Sequence, residues 1–553
     1  MLRHLFVFFL CVSSSLSWAN THHAAIASAH PLATQAGFDI LNRGGNAFDA
    51  AVAVTAALAV VEPAGSGLGG GGFWLLHREH DKMQLMIDGR EMAPAAAHRD
   101  MYLNQTGEFE TNTALNGPLA AGIPGVPAAM VHLSQKYGQL PLSISLQPAI
   151  EYAENGFAVS EGYQYLAQFR HGILSQFTSS AEIFLKDGEV PELGSLIKQK
   201  DLAHTLKQLA DKGLQGFYAG DVANKLVSSV KQHGGIWSLN DLASYQIKER
   251  APVKGHYQGY DITSAALPSS GGIVLMLALN QLAQFDLTQA DDTQKHHLII
   301  ESLRRAYRER SRYLGDSDFV TVPAFLTNPA YAKQLSQDID QYHASASPAV
   351  EHRIPQGENT THFSIIDDQG NRVAATLSIN YPFGSGFVAE GTGVLLNDEM
   401  DDFSAKVGAA NVYGLVGNEA NAIAPYKRPL SSMSPTFVEN DDAIFITGTP
   451  GGSRIISMVL LSVLDFIEGK TAQHIVAAPR FHHQYLPDEV QVENQGFEDA
   501  QLEALIERGH HIKMLNRQYG DMQLITVNKQ TKQVQAASDP RGEGLAISQA
   551  ITR

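Results

Sequence analysis

The order in which the two kinds of periodicity appear along the chain limits its fold more than any other feature. From about Pro141 to Gln337 apolar residues recur mainly at helical spacing, over Ser143 to Asn155, Leu202 to Lys212, Val222 to Gly234 and Gln294 to Leu314. After Asn359 strands return, with candidates at His362 to Asp367, Arg372 to Ile379, Gly393 to Leu396, Ala443 to Thr447 and Met522 to Val527. Two helices, Ser453 to Ile467 and Phe497 to Arg508, lie between these strands, and the first is apolar nearly all round, as a helix covered on every side must be. This order predicts an α+β architecture in which sheets are covered by layers of helix. Upstream, Ala33 to Leu41 and Asn46 to Val61 predict two packed helices, parted by Arg43-Gly44-Gly45 and stopped at Glu62-Pro63. A glycine run, Gly65 to Gly72, then leads into strands at Phe73 to Leu76 and Met83 to Ile87 and on to Gly89-Arg90-Glu91.

The first 19 residues read as an export signal. Arg3 and His4 precede the apolar run Leu5 to Val12, and Ser17-Trp18-Ala19 is a small-x-small cleavage signal, so a cut after Ala19 is expected. The destination is then the periplasm where there is an outer membrane, and the medium otherwise. A membrane span needs roughly 20 apolar residues, more than this run holds, and Phe48 to Val61 is short and carries Asp49. The only cysteine, Cys11, lies inside the signal, so disulfides, thiolate metal sites and a cysteine nucleophile are excluded from the exported protein. A net charge of −17 repels phosphate backbones and anionic lipid, which leaves a small molecule as the expected partner rather than nucleic acid.

Gly65-Ser66-Gly67-Leu68-Gly69-Gly70 fits the letter of GxGxxG, but a helix precedes it and a strand follows, the reverse of a dinucleotide site. Close backbone approach in a tight loop is the expected use. Histidine pairs at 22–23, 296–297, 482–483 and 510–511 lack metal-ligand spacing and are expected on the surface or in the core; no metal or cofactor is expected. In Asn359-Thr360-Thr361-His362-Phe363-Ser364, a strand begins that turns at Asp368-Gln369-Gly370-Asn371 and returns along Arg372 to Ile379. A four-residue loop pairs position 360 with 379, whereas a five-residue loop pairs it with 378; either way hydroxyl and amide groups end beside Thr360. Glu399-Met400-Asp401-Asp402 places three carboxylates in four residues. Lys427-Arg428-Pro429-Leu430-Ser431-Ser432-Met433-Ser434-Pro435 is a rigid turn able to present two hydroxyls. Thr449-Pro450-Gly451-Gly452-Ser453-Arg454 opens onto the apolar helix, leaving bare N–H groups of the kind that hold an oxyanion.

Taken in order, GREMAP at 89–94, LPSSGG at 267–272, TTHFS at 360–364, NDEMDDFS at 397–404, NVYGLVGNEANAI at 411–423, KRPLSSMSP at 427–435, TPGGSR at 449–454, APRFHHQ at 478–484 and ASDPR at 537–541 cover nearly the whole exported chain. The set resembles the γ-glutamyltransferase (γ-glutamyltranspeptidase) family of N-terminal-nucleophile hydrolases. The resemblance implies a four-layer αββα sandwich and a precursor that cuts itself between Asn359 and Thr360. The products would be a large subunit, 20–359, and a small one, 360–553, held together as a heterodimer.

Thr360 would be the nucleophile, its freed α-amine acting as base for its own hydroxyl, since such an amine titrates near about 7.7–8.0. By the same resemblance Gly451 and Gly452 hold the oxyanion, and Arg90, Ser431 and Ser432 clamp the substrate α-carboxylate. Asn380, Glu399 and Asp402 receive the α-ammonium, Thr361 and Ser378 bond around the nucleophile, and Tyr413 belongs to a lid at about 406–426. Glutathione and other γ-glutamyl amides are the implied donors; water, amino acids and peptides are the implied acceptors. Ser378 stands where many members have threonine, and Glu399 where some bacterial members have glutamine. Two other readings compete: an acylase of the same superfamily acting on glutaryl-cephalosporin-type amides, and an exported binding protein without activity. Asp402 speaks against the first, because a glutaryl group has no ammonium to pair with it.

Overall fold

The computed structural model describes residues 23–348, 360–406, 408–494 and 496–552, so the export signal and Asn359 lie outside the described residues. Two antiparallel sheets form the centre. Across the seven-stranded sheet the order is Leu545–Ala550, His23–Ser28, Thr361–Ile366, Arg372–Ser378, Gly71–Arg78, Met83–Asp88 and Lys248–Arg250. The six-stranded sheet runs Val534–Ser538, Gln523–Asn528, Ala443–Thr447, Thr436–Glu439, Tyr260–Ser264 and Val253–Tyr257.

Alternation along the hairpin places both faces of the larger sheet in apolar surroundings. Phe363, Ile365, Val373, Ala375 and Leu377 join the core made with helices Pro31–Asn42, Ala47–Val61 and Leu142–Asn155. Ile366 and Ala374 point the other way, into the core shared with the second sheet and helices Gly271–Leu282, Asp292–Tyr313 and Ile455–Ile467. Period-2 side-chain direction thus makes one sheet the floor of two cores, and the result is helix, sheet, sheet, helix. The αββα expectation holds.

The hairpin takes the five-residue alternative. Arg372 lies opposite Ile366 and Leu377 opposite Thr361, leaving 367–371 as the loop, with Gly370 at φ +91°. Asp367 sets this loop, accepting hydrogen bonds from the N–H groups of Gln369 and Asn371, from the Asn371 amide, and from Ala47 at the start of the second helix. His362, in the middle of the motif, is packing rather than chemistry. It bonds Thr376 at 2.8 Å and Ser364 at 3.2 Å between the sheets, and burial lowers its pKa to about 3, so it is neutral.

The eight helices expected from the sequence hold to within about two residues, but helices such as Val126–Lys136, Glu161–Leu174 and Gly271–Leu282 were not expected, nor were the short strands at His23–Ser28, Val253–Tyr257, Tyr260–Ser264, Thr436–Glu439, Val534–Ser538 and Leu545–Ala550. The runs of these strands are too short and mixed for periodicity to separate from loop. The expected strand at Gly393 to Leu396 shrinks to Val394–Leu395. The histidine pairs divide between core and surface, with His22 outside the described residues: His297 bonds His510 at 2.8 Å and His482 bonds Ser457 and Gln484 in the core, while His23 and His511 are exposed. Among the described residues no helix is long and apolar enough to cross a membrane.

Candidate active site

Thr360 stands immediately ahead of the Thr361–Ile366 strand, in a buried position between the two sheets. Continuing the register by one residue brings Ser378 opposite it, and the two hydroxyl oxygens are 3.4 Å apart. Ser378 also accepts the N–H of Asn380 at 2.8 Å, which helps hold that residue at φ +72°. The glycine run makes the close approach expected of it: a Cβ at Gly70 would fall 2.2 Å from the Ser378 carbonyl oxygen, and one at Gly69 2.0 Å from that of Leu395. Thr361 departs from expectation. Strand alternation turns its side chain away from that of Thr360, toward the Glu62 carboxyl at the end of the second helix.

Arg90 reaches the same cavity from the turn after Met83–Asp88, where its N–H bonds Asp88 at 3.0 Å. Its guanidinium is buried and already engaged, 2.7 Å from Glu399 and 2.5 Å from Asp402, with Glu91 at 3.4 Å and the Pro429 carbonyl at 3.3 Å. Burial alone would lower its pKa, but Glu399, Glu91 and Asp402 together raise it, so the charge is permanent. Burial pushes the Glu399 carboxyl well above the usual carboxylate range; Arg90 opposes that and the neighbouring carboxylates add to it. Asp401 is raised to about 7, by burial first, against the N–H of Val412 and with help from Asp402. An acidic pocket with one guanidinium at its centre suits a ligand carrying both an ammonium and a carboxylate.

The serine turn is pinned onto LPSSGG: Ser270 donates its N–H to the Ser431 carbonyl at 2.8 Å, and Ser431 donates its own to Pro268 at 2.8 Å. Ser431 and Ser432 thereby face the cavity that Arg90, Thr360, Ser378, Asn380, Glu399, Asp402, Tyr413 and Gly452 also line. Gly451 adjoins it, at φ +139°, and Gly452 follows at φ +56°. Neither glycine N–H donates a backbone hydrogen bond among the described residues. Tyr413 closes the top, its hydroxyl donating to the Asn380 carbonyl at 2.8 Å and its ring lying against Gly452, where a Cβ would come within 2.3 Å. Only about 20 Å³ remains inside, room for one or two waters.

Three residues here were not singled out in the sequence. Asn411 ties the lid down, its amide donating to Asp402 at 2.9 Å while its carbonyl oxygen accepts the N–H groups of Tyr413 and Leu415; an Asn two residues before a Tyr-Gly turn was the available signal. Arg310, buried behind the serine turn, donates to Ser270 at 2.9 Å and Ser432 at 3.3 Å. Glu62, which in the sequence marks only a helix stop, brings its buried carboxyl beside Thr361.

The family model described as Gamma-glutamyltranspeptidase matches residues 33–549. The chain belongs to that family. The glutathione hydrolase proenzyme of Escherichia coli strain K12 is 44% identical over 528 residues, covering 93% of this chain and 90% of that one. That of Pseudomonas aeruginosa is 40% identical over 546 residues, covering 97% and 96%. Among solved structures, cephalosporin acylase from Bacillus halodurans superposes with a TM-score of 0.84 at 27% identity, covering 95% of each chain. The Helicobacter pylori gamma-glutamyltranspeptidase gives 0.55 at 42% identity, covering 57% of this chain and 90% of that one. This family member therefore has the sandwich of the N-terminal-nucleophile hydrolases.

Proposed function

We propose that this family member is a self-processing γ-glutamyltransferase and glutathione hydrolase, with Thr360 as its nucleophile. The observation that carries the reading is the single cavity in which Thr360, with Ser378 beside it, shares space with the Arg90–Glu399–Asp402 ion cluster. In the precursor the Thr360 hydroxyl attacks the Asn359 carbonyl, the peptide C–N bond breaks to leave the α-amine free and Asn359 as an ester on the Thr360 oxygen, and water hydrolyses that ester to release the hydroxyl and a new Asn359 carboxylate. The products are the subunits 20–359 and 360–553.

In turnover the α-amine takes the proton of the Thr360 hydroxyl as its oxygen bonds the donor's γ-carbonyl carbon. The N–H groups of Gly451 and Gly452 stabilise the oxyanion, and the proton passes to the departing amine as the C–N bond breaks. Water or an amino-acid or peptide amine then releases the γ-glutamyl group from the ester. An entering glutamyl head exchanges one set of ion pairs for another: its α-carboxylate takes the Arg90 fork, helped by Ser431 and Ser432. The Glu399 and Asp402 carboxylates so released, with the Asn380 amide, take its α-ammonium. Tyr413 must lift to admit it. Export to the periplasm or medium, through the signal at 1–19, completes the proposal.

The likeness to a cephalosporin acylase favours a second reading, cleavage of glutaryl amides. A glutaryl group would occupy Arg90 yet bring no ammonium to the buried Glu399 and part-buried Asp402 carboxyls that Arg90 had been pairing, which disfavours it. Intact mass and N-terminal sequencing test the main reading: the mature protein should contain a chain beginning Thr360-Thr361-His362, and Thr360→Ala should give one uncut, inactive chain. Two chains from that variant would move the cut or its agent elsewhere. Faster cleavage of glutaryl than of γ-glutamyl amides bearing the same leaving group would select the acylase.

A further inference from the structure

The apolar helix Ile455–Ile467 starts just after the Gly451-Gly452 turn and runs along a second hollow, of about 380 Å³, that it shares with helices Asp292–Tyr313 and Ala472–Ala477. No residue lining this hollow lines the cavity of Thr360. Met458, Leu461, Ser462 and Asp465 stand in its wall, as steps of three and four residues along one helix face require. Ile299, Leu464, Phe481 and Met522 extend the wall with apolar surface.

Asp465 is the only charged side chain in Ile455–Ile467, and it is half-buried. Its carboxyl accepts no hydrogen bond and joins no ion pair among the described residues. Burial lifts its pKa to about 6, with His474 and Lys470 pulling against that and Glu468 adding to it, so the group is an anion at neutral pH. The cations around it are engaged or out in solvent: Lys295 pairs with Glu468 at 3.3 Å, Arg480 pairs with Asp539, and Lys470 and His474 are exposed. His296 brings no charge to the wall. Its ring packs against those of Phe481 and Phe497, with centroids 5.2 and 4.6 Å away, and burial lowers its pKa to about 4. An entering anion would meet Asp465, Asp292 and Glu468 together, whereas one positive charge on an apolar body satisfies both the carboxylate and the wall.

The hollow also touches the glycine turn. Met458 is buried, and a Cβ at Gly451 would fall 2.5 Å from its Cε, one at Gly520 2.6 Å from its Sδ. A single flexible thioether thus separates the hollow from Gly451, and a molecule pressing on it drives it toward a backbone it already contacts.

We propose that this hollow binds a small amphiphilic cation, an amine on an aromatic or branched aliphatic body, with Asp465 as its counter-charge, and that occupancy slows turnover by displacing Gly451 through Met458. The second half rests on the reading of the Gly451 N–H as an oxyanion donor; the first does not.

The probe is N,N-dimethylphenethylamine, a tertiary amine that cannot be left carrying a glutamyl group. Titration calorimetry on the processed enzyme should show one site, weakened at least about tenfold in Asp465→Asn, with 2-phenylethanol, which has no charge, binding both proteins alike. Should Asp465→Asn remain uncut, Leu461→Trp supplies the second measurement: the larger ring fills the hollow and should abolish the heat of binding. Equal affinity in wild type and processed Asp465→Asn, or undiminished binding by Leu461→Trp, overturns the site. At saturating probe, kcat for hydrolysis of a γ-glutamyl anilide should fall about fivefold with KM unchanged. An unchanged kcat overturns the link through Met458, and a rise in KM alone places the probe in the cavity of Thr360 and overturns the proposal. Absence of anilide hydrolysis without probe would condemn the proposed function and leave the calorimetric result standing.

Discussion

Arg90 finds Asp402 across 312 positions of sequence, and neither the pairing nor its consequence was legible in one dimension. The motifs GREMAP and NDEMDDFS announced the residues, and chemistry assigned opposite ends of a substrate to them. What the folded chain adds is that the two halves of the clamp satisfy each other when no substrate separates them. Arg90→Lys keeps the charge and loses the planar fork, so KM for a γ-glutamyl donor should rise about 100-fold while self-cleavage continues. Steady-state kinetics on the processed variant check this, and an unaltered KM would show that the carboxylate is held elsewhere. Asp401 is a second residue-scale case. Its folded pKa of about 7 exceeds the ordinary carboxylate value, so between about pH 4 and 7 the folded protein holds a proton that the unfolded chain has released. Its contribution therefore favours the fold at low pH and is lost as pH rises through 7. Asp401→Asn should flatten the fall in Tm between pH 5 and 8, measured by differential scanning calorimetry, with little change at pH 5.

At the scale of elements, the sequence supplied the hairpin after Thr360 but left two loop lengths open, because a slip of one residue changes no propensity and no composition. Asp367 holds the five-residue loop through bonds from Gln369 and Asn371 and a further one from Ala47, far away in sequence, so part of what fixes it is not local information. Arg310 stayed hidden for a related reason: on a long helix rich in arginine, nothing in the sequence marks it, rather than the equally buried Arg304 or Arg305, as the cation behind the serine turn. The Gly-Gly entrance to the apolar helix was legible, since its spacing to the helix is local. Its second role was not, because Gly452 is also the floor on which the Tyr413 ring lies. Gly452→Ala faces both a positive φ and a Cβ 2.3 Å from that ring. Either the Tyr413 ring or the Gly452 N–H must move, and if that N–H holds the oxyanion as proposed, kcat/KM should drop at least about 100-fold. Kinetics with a γ-glutamyl anilide measure it, with subunit bands on a gel as the control for processing; activity within tenfold of wild type would mean that the glycine donor is not needed in its present place.

At the scale of the whole molecule, the proposed cut at 359/360 does not divide the fold where it divides the chain. His23–Ser28 lies between Leu545–Ala550 and Thr361–Ile366, Gly71–Arg78 pairs with Arg372–Ser378, and Tyr260–Ser264 pairs with Thr436–Glu439. Both sheets are thus woven from both products. The two subunits should elute as one species in gel filtration, separate only under denaturing conditions, and fail to fold when expressed alone; a stable isolated small subunit would contradict the interleaving. The outermost of these pairings has a use of its own. His23 lies directly across the ladder from Ala550, so the two ends of the described chain are neighbours in one sheet. Genetic engineers can therefore rewire the polypeptide as a circular permutant: a gene opening at Thr360, running to the far end, and returning through a short linker to His23. Once its initiator methionine is trimmed, such a protein would be born with its threonine amine exposed, active from synthesis and without a precursor stage.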